Sequence, residues 1–295
     1  MAVDLHMHSL FSVDGFSTPE ELMEIMAGKG ITTVSLTDHN SVDGVERARA
    51  KARQLGLGFV TGAEFDVEWH GSEQHMLAFG FDPANTAIRR ICARHFAQYP
   101  LNFERFLPIL ERRHGITREQ LAAGLAKRYR TKEAPVLNKW YAREFMVTAG
   151  ISVDDRAALA AMSAIASEAE RNVATPWVWS DLETVRDAVH AAGGIILIAH
   201  PTKFLRGRMR DQMRLVEAAL AGGIDGLELY HPANMAEPHF NEFVEEARRL
   251  GCALSGGSDT HTDPNRDKSN FSAPDWLVET IANALKRRVS HPKES

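Results

Sequence analysis

A chain of 295 residues with 44% hydrophobic content can bury a large core as one α/β domain or two ordinary ones. A formal net charge of -5 and a pI near 6.2 exclude a protein that coats nucleic acid by bulk positive charge, and no stable binding of duplex nucleic acid is expected. Cys92 and Cys252 are too few for a disulfide framework; with no basic-then-apolar leader and no run of about 18 apolar residues, the chain reads as cytoplasmic, without a membrane partner.

The chain opens on Val3-Asp4-Leu5-His6-Met7-His8-Ser9, whose alternation predicts a short strand. Residues two apart on a strand face one side, so His6 and His8 present two imidazoles to one point, a metal-ligand spacing. Ser17-Thr18-Pro19-Glu20-Glu21 predicts a capped helix start, and that helix runs to about Gly28-Lys29-Gly30. A β-rich run over 32–37 ends at Asp38-His39-Asn40, a helix follows over 43–55, and a strand over 59–65 carries Glu64. A further strand over 74–81 carries His75. The alternation resumes with a helix over 182–192 and the apolar run 195–199, which stops at His200-Pro201. A helix over 211–220, a strand over 226–231, a helix over 237–250 and a strand leading into Ser258-Asp259-Thr260-His261 complete it. A last amphipathic helix over 274–286 precedes a polar tail. Repeated strand–helix units with short apolar strands predict a parallel sheet with helices outside, and their number favours closure into a barrel.

Between 81 and 179 that rhythm breaks, and roughly 85–171 reads as helices with almost no strand signal. The expected organisation is a barrel from 1–84 and 176–288, a helical insertion over 85–175 capping its mouth, and a polar tail over 289–295. Lys and Arg outnumber acids in the first part of the insertion; most should be solvated, and a minority could meet an anionic substrate.

Active sites of such barrels sit where strands give way to the following loops. His6, His8, His39, Glu64, His200, Asp259 and His261 fall at or just past predicted strand ends, and His75 begins another strand. Six of the thirteen histidines belong to this set; the others, among them His95 and His231, lie mostly on helices or loops and default to surface or core roles. Imidazole and carboxylate ligands without thiolate suit Zn, Mn or Fe, and with Asp14 the nine candidates are too many for one ion, so two or three divalent metals are expected, with Glu64 suited to bridge a pair. Paired metals clamp the attacking and leaving oxygens of an in-line displacement, the logic of phosphoester hydrolysis.

His6-x-His8, Thr37-Asp38-His39, Gly62-Ala63-Glu64, Gln74-His75, Ala199-His200-Pro201 and Ser258-Asp259-x-His261 resemble, in order, the motifs of the polymerase and histidinol phosphatase (PHP) family. The resemblance implies a distorted (β/α)7 barrel with an inserted helical subdomain and a trinuclear centre. His6, His8, Glu64 and Asp259 would hold the first metal, Glu64, His75 and His200 the second, and Asp14, His39 and His261 the third. Every ligand position is filled, which favours an active enzyme over a scaffold. The insertion resembles that of the branch hydrolysing nucleoside 3′,5′-bisphosphates, AMP or short RNA 5′ ends. That branch typically carries Ser-Arg-x-His where this chain has Leu137-Asn138-Lys139-Trp140, and Arg where Lys203 stands. Asn138 and Lys139 are therefore candidates for substrate contact, together with Lys203 and Arg206, and Arg208 more weakly.

The reaction expected is attack of metal-activated water on the phosphorus of a small phosphorylated substrate, with Lys203 neutralising phosphoryl oxygens and His231 as candidate proton donor to the leaving oxygen. Asp4 and Asp38 are candidates to orient neighbouring ligands or, equally, to make buried structural hydrogen bonds, and Trp140 and Tyr141 fit the core better than a base-stacking role. One alternative is a phosphodiesterase that opens a cyclic sugar phosphate of the 5-phosphoribosyl 1,2-cyclic type. An amidohydrolase would bring a metal-bridging lysine at a strand end, which this chain lacks, and a non-catalytic metal-binding module would be expected to have lost ligands.

Overall fold

The computed structural model describes residues 2–128, 137–172, 178–204, 209–261 and 271–290. The first half runs β1 (Ala2–Asp4), α1 (Pro19–Gly28), β2 (Ile31–Val34), α2 (Val45–Gln54), β3 (Gly58–Phe59), β4 (Gly62–Trp69) and β5 (Ser72–Phe79). Helix α1 starts where its sequence says it should. Thr18 Oγ1 accepts the Glu21 N–H while the Glu21 carboxylate accepts the Thr18 N–H, so two otherwise orphaned donors are satisfied.

Among the described residues five helices follow: α3 (Thr86–Phe96), α4 (Gln98–His114), α5 (Arg118–Arg128), α6 (Lys139–Thr148) and α7 (Asp155–Asn172). Alternation then returns with α8 (Leu182–Ala191), β6 (Ile195–Ile198), α9 (Pro201–Phe204), α10 (Met209–Ala221), β7 (Gly226–Tyr230), α11 (Pro232–Met235), α12 (Phe240–Arg249), β8 (Ala253–Gly256), β9 (Ala273–Pro274) and α13 (Trp276–Ser290). The final helix continues past the expected boundary into what reads as tail. No helix among the described residues is long and apolar enough to cross a membrane.

The strands form two open sheets, ordered β3-β2-β1-β9 and β4-β5-β6-β7-β8, in place of one closed ladder. The pairing is also mixed, because β5 lies antiparallel to both β4 and β6. The reason is local. Trp69 pairs with Ser72 across His70-Gly71, which have φ of 52° and 72°; positive φ at both central residues is the two-residue hairpin turn that matches strand twist. At two seams the sheets touch through single parallel bridges, His39 with Glu64 and Met7 with Thr260.

Burial explains the layers. Phe65, Leu77, Phe79, Ile196, Leu197 and Leu227 are fully buried in one cluster shared by β4–β8 and the helices behind them. Each such side chain is worth about 1.5–3 kcal/mol of transfer free energy. The helices α4–α7 have a second cluster of their own, built on Phe103, Leu110, Ile116, Leu121 and Ile165, which Leu10 also joins. That contact carries the loop after β1 into the packing of these helices.

Candidate metal centre

Strand β1 ends at Asp4, so His6 and His8 lie beyond the ladder, on an extended segment gripped from both sides. Leu5 N–H donates to Gly256 and His8 N–H to Thr260, while Met7 accepts from Thr37 and His6 accepts from Asp259. Gly257 allows this approach, since a Cβ there would fall 2.3 Å from the His6 backbone nitrogen. Held this way, the two imidazoles stand on one side with centroids 5.1 Å apart, as their spacing predicts.

Glu64, fully buried on β4, is the hub. Its Oε2 lies 2.8 Å from His6 Nε2, 3.2 Å from His8 Nε2 and 3.4 Å from His39 Nε2. Its Oε1 lies 3.1 Å from both His75 Nδ1 and His200 Nε2. Asp259 adds its Oδ1 at 3.3 Å from His8 Nε2 and 3.6 Å from His6 Nε2. On the far side of His8, the His261 ring stacks at 4.3 Å and its Nε2 meets Asp14 Oδ2 at 3.0 Å. All nine sequence-predicted ligands are therefore brought together. His200 and Asp259 take positive φ, 28° and 53°, a conformation seldom adopted without compensation and concentrated at functional sites.

Among the described residues three groups of ligand atoms, each within 4.8 Å of one another, could hold an ion: His6, His8, Glu64 and Asp259; His8, Asp14, His39 and His261; and His39, Glu64 and His75. The donor chemistry fits divalent cations. His8 Nε2 is buried between two carboxylates without the alignment of a hydrogen bond, the arrangement of a lone pair awaiting a cation. Burial opposes the charge of Glu64, yet His39, His6 and His75 hold its carboxyl well below the usual carboxylate range. Burial likewise works against imidazolium at His6 and His39, but Glu228 and Glu64 around the first, and Glu64, Asp66 and Asp14 around the second, raise both well above an ordinary imidazole. His75, against the same burial, is lifted by Asp66 and Glu64 to about 9.

Of the two uses expected for Asp4 and Asp38, the structure has the buried structural hydrogen bond. Asp4 accepts the backbone N–H groups of Ser258 and His6, and Asp38 accepts the N–H and hydroxyl of Ser9, so both hold main chain; burial raises them to about 6 and about 7. The carboxylate that orients His6 is Glu228, whose Oε1 lies 2.9 Å from His6 Nδ1 while its Oε2 accepts the His200 N–H. An acid between Leu227 and Leu229 on a buried strand was the signal for it. Likewise Asp66, two residues past Glu64 on β4, meets His39 Nδ1 at 3.1 Å. Period two makes it visible in the sequence.

Lys203, partly exposed, donates to Asp259 Oδ2 at 2.7 Å. His231, just past the end of β7, is buried. Its Nδ1 accepts the Ala233 N–H, so its proton sits on Nε2, 3.2 Å from Asp259 Oδ2. Asn138 is also buried; it caps α6 by accepting the Tyr141 N–H and donates to the Val13 carbonyl, a structural use of both halves of its amide. Lys139 Nζ lies 4.3 Å from the Trp140 ring centroid, and Trp140 packs edge-on against Tyr99. Arg206 and Arg208 lie outside the described residues.

Residues 4–140 match the PHP domain. Its first half therefore carries a PHP domain. Among relatives of this chain are a 5′-3′ exoribonuclease of Haemophilus influenzae, 28% identical over 88% of this chain and 89% of its own length, and a 3′,5′-nucleoside bisphosphate phosphatase of Chromobacterium violaceum, 26% identical over 99% of both. A phosphoribosyl 1,2-cyclic phosphate 1,2-diphosphodiesterase of Eggerthella lenta is 26% identical over 88% of this chain and 94% of its own. The fold is shared with a solved structure assigned as a metal-dependent phosphoesterase of Bifidobacterium adolescentis, with TM-score 0.77, 27% identity and 95% of each chain covered.

Proposed function

We propose that this chain is a metal-dependent phosphoesterase that removes phosphate from small phosphorylated nucleotides, with a nucleoside 3′,5′-bisphosphate as its foremost substrate. The observation that carries the reading is Glu64, a buried carboxylate with three imidazole nitrogens about one oxygen and two about the other. Such a group can bridge two cations and has no evident use without them. The relative matched over 99% of both lengths supports the substrate class. On this reading residues 1–84 and 176–288 both contribute strands to each sheet of a distorted (β/α)7 barrel, and 85–175 would be its helical cap.

His6, His8, Glu64 and Asp259 would hold one ion, Glu64, His75 and His200 a second, and Asp14, His39 and His261 a third. Bound divalent cations supply Lewis acidity toward phosphoryl oxygens and lower the pKa of water in their coordination shell. The chain's own groups do the rest. Glu228 fixes His6 by its Nδ1, leaving Nε2 to face Glu64. Lys203, paired with Asp259 and partly exposed, brings a positive charge to phosphoryl oxygens. His231, whose Nε2 hydrogen faces Asp259, is our candidate to pass a proton to a leaving oxygen.

A second reading, opening of a cyclic sugar phosphate, is favoured by Lys203 and Asn138 standing where nucleotide-acting relatives are expected to carry arginine, and by the diesterase relative. Relative kcat/KM on a nucleoside 3′,5′-bisphosphate, AMP, a short 5′-phosphorylated RNA and a ribose 1,2-cyclic phosphate separates the two. Turnover of the last alone would move the assignment to the diesterase, and turnover of none would end the phosphoesterase reading.

A further inference from the structure

Behind His39 lies a chain of buried polar groups that none of the metal-holding roles uses. Asp66 Oδ1 faces His39 Nδ1 at 3.1 Å and His75 Nε2 at 3.5 Å, and its Oδ2 faces Asn40 Nδ2 at 2.7 Å and Tyr99 Oη at 2.5 Å. Asn40 Oδ1 meets the Asp66 N–H at 3.2 Å and His95 Nδ1 at 3.0 Å, and His95 Nε2 meets both the N–H and the hydroxyl of Ser180 at 2.9 Å. Asp66, Asn40, Tyr99 and His95 are all at most 3% exposed. Asn40 sits at φ 49°, so the backbone is held in a costly conformation that keeps its amide at the centre.

Two backbone donors fix the direction of the hydrogen bonds that run from Ser180 to Asp66 Oδ2. The Ser180 N–H can only donate, so His95 Nε2 is a lone pair and the His95 proton is on Nδ1, directed at Asn40 Oδ1. The Asp66 N–H, donating to the same oxygen, requires that orientation of the amide independently. Asn40 Nδ2 therefore donates to Asp66 and to Tyr99 Oη, and the Tyr99 hydrogen is left to go to Asp66 Oδ2. With donors already on its second oxygen, Asp66 has Oδ1 left to face His39 Nδ1 and accepts from it whenever His39 Nε2 is the nitrogen turned to a cation. His39 Nε2, pointed at Glu64, is then the nitrogen that exchanges a proton for a cation. Burial holds His95 at about 4, in keeping with a neutral ring.

We propose that Asp66, fixed by Asn40, Tyr99 and His95, is the positioning carboxylate that sets the tautomer of His39, so that helices α3 and α4 supply part of the orientation of the metal centre. Tyr99 and His95 belong to the helical segment that interrupts the strand–helix rhythm, which thereby acts on the ligands from behind. The inference rests on the reading of His39 as a metal ligand.

The test is Mn²⁺ titration by calorimetry of the full chain and of Asp66→Asn and Tyr99→Phe, with thermal melting and steady-state kinetics on a phosphoester alongside. Asp66→Asn is expected to weaken one Mn²⁺ equivalent by about 10–100-fold, the usual effect of losing such a partner, and to lower kcat with little change in KM. Tyr99→Phe, which removes a single oxygen, should weaken the same equivalent by a smaller factor without lowering the melting temperature in proportion. It decides the matter should the amide variant fail to fold. Variants that take up every equivalent with wild-type affinity overturn this inference while leaving the phosphoesterase reading intact. A wild-type chain that takes up no Mn²⁺ overturns both.

Discussion

Replacing Glu64 by Gln keeps the shape of the side chain and removes its charge from a site where five imidazole nitrogens lie 2.8–3.4 Å from its two oxygens. A unit charge about 4 Å from a buried carboxylate is worth roughly 4 kcal/mol at an effective dielectric near 20, so a dication is worth about 8. Relaxation and water entry halving this would still leave about 4 kcal/mol, or roughly a thousandfold. The amide nitrogen adds a donor where lone pairs are wanted, so the figure is a lower bound for the sites that share Glu64. Glu64→Gln is therefore expected to lose bound metal, measured by inductively coupled plasma mass spectrometry after dialysis, and to lose about 10³-fold in kcat/KM for phosphate release. A variant with a full complement of metal and more than about a tenth of wild-type kcat/KM would refute the bridging role.

Glu228→Gln places an amide donor against either His6 Nδ1 or the His200 N–H, and Mn²⁺ titration should show about a 10–100-fold loss at the site containing His6; unchanged binding would return Glu228 to a purely structural part. Because His6 and His39 are raised well above the ordinary imidazole value by neighbouring carboxylates, the metal-free chain carries protons there at neutral pH, and metal uptake should release them. Calorimetry in buffers of different ionisation enthalpy measures that release, and none would contradict the cluster electrostatics. The sign for stability follows from His75. Its folded value of about 9 lies above the unfolded one, so its contribution is full below about pH 6.5 and lost as pH rises through 9; the metal-free melting temperature should fall across that window. Asn138→Ala removes the cap of α6 and the tie to Val13, costing about 1–2 kcal/mol and a few degrees of melting temperature, with KM nearly unchanged. A raised KM at an unchanged melting temperature would instead make it a substrate residue.

The parts of this molecule that were legible in its sequence are those governed by local rules. His6-x-His8 is read by the two-residue period of extended chain, the start of α1 by its capping box, and the set of ligand candidates by its recurrence at strand ends. Strand polarity is not a local property: an apolar run packs equally well in either direction, and only the turn at His70-Gly71 makes β5 return antiparallel. The open seams are similarly invisible, since whether a ladder continues past His39 or Met7 depends on partners contributed from Glu64 and Thr260. A single bridge at each seam lets the chain turn its side chains inward there, and the metal-ligand candidates cluster about both.

The same distinction separates ligands from the residues that orient them. Glu64 and Asp66 share one face of β4, as do His6 and His8 beyond β1, so the period that exposes one pair exposes the other. Tyr99 and His95 had no such signature, because on a helix an aromatic or a lone histidine with apolar neighbours is what a core position ordinarily contains. Their polar atoms acquire direction only from the backbone donors of Ser180 and Asp66, which folding delivers from β4 and the approach to α8. A buried polar group whose every partner is fixed costs little beyond its desolvation, whereas one left unpaired costs about 1–3 kcal/mol, so a network this complete is selected against unless each member is kept. Loss of Tyr99 or His95 should therefore act on the centre through His39 even though neither faces a cation.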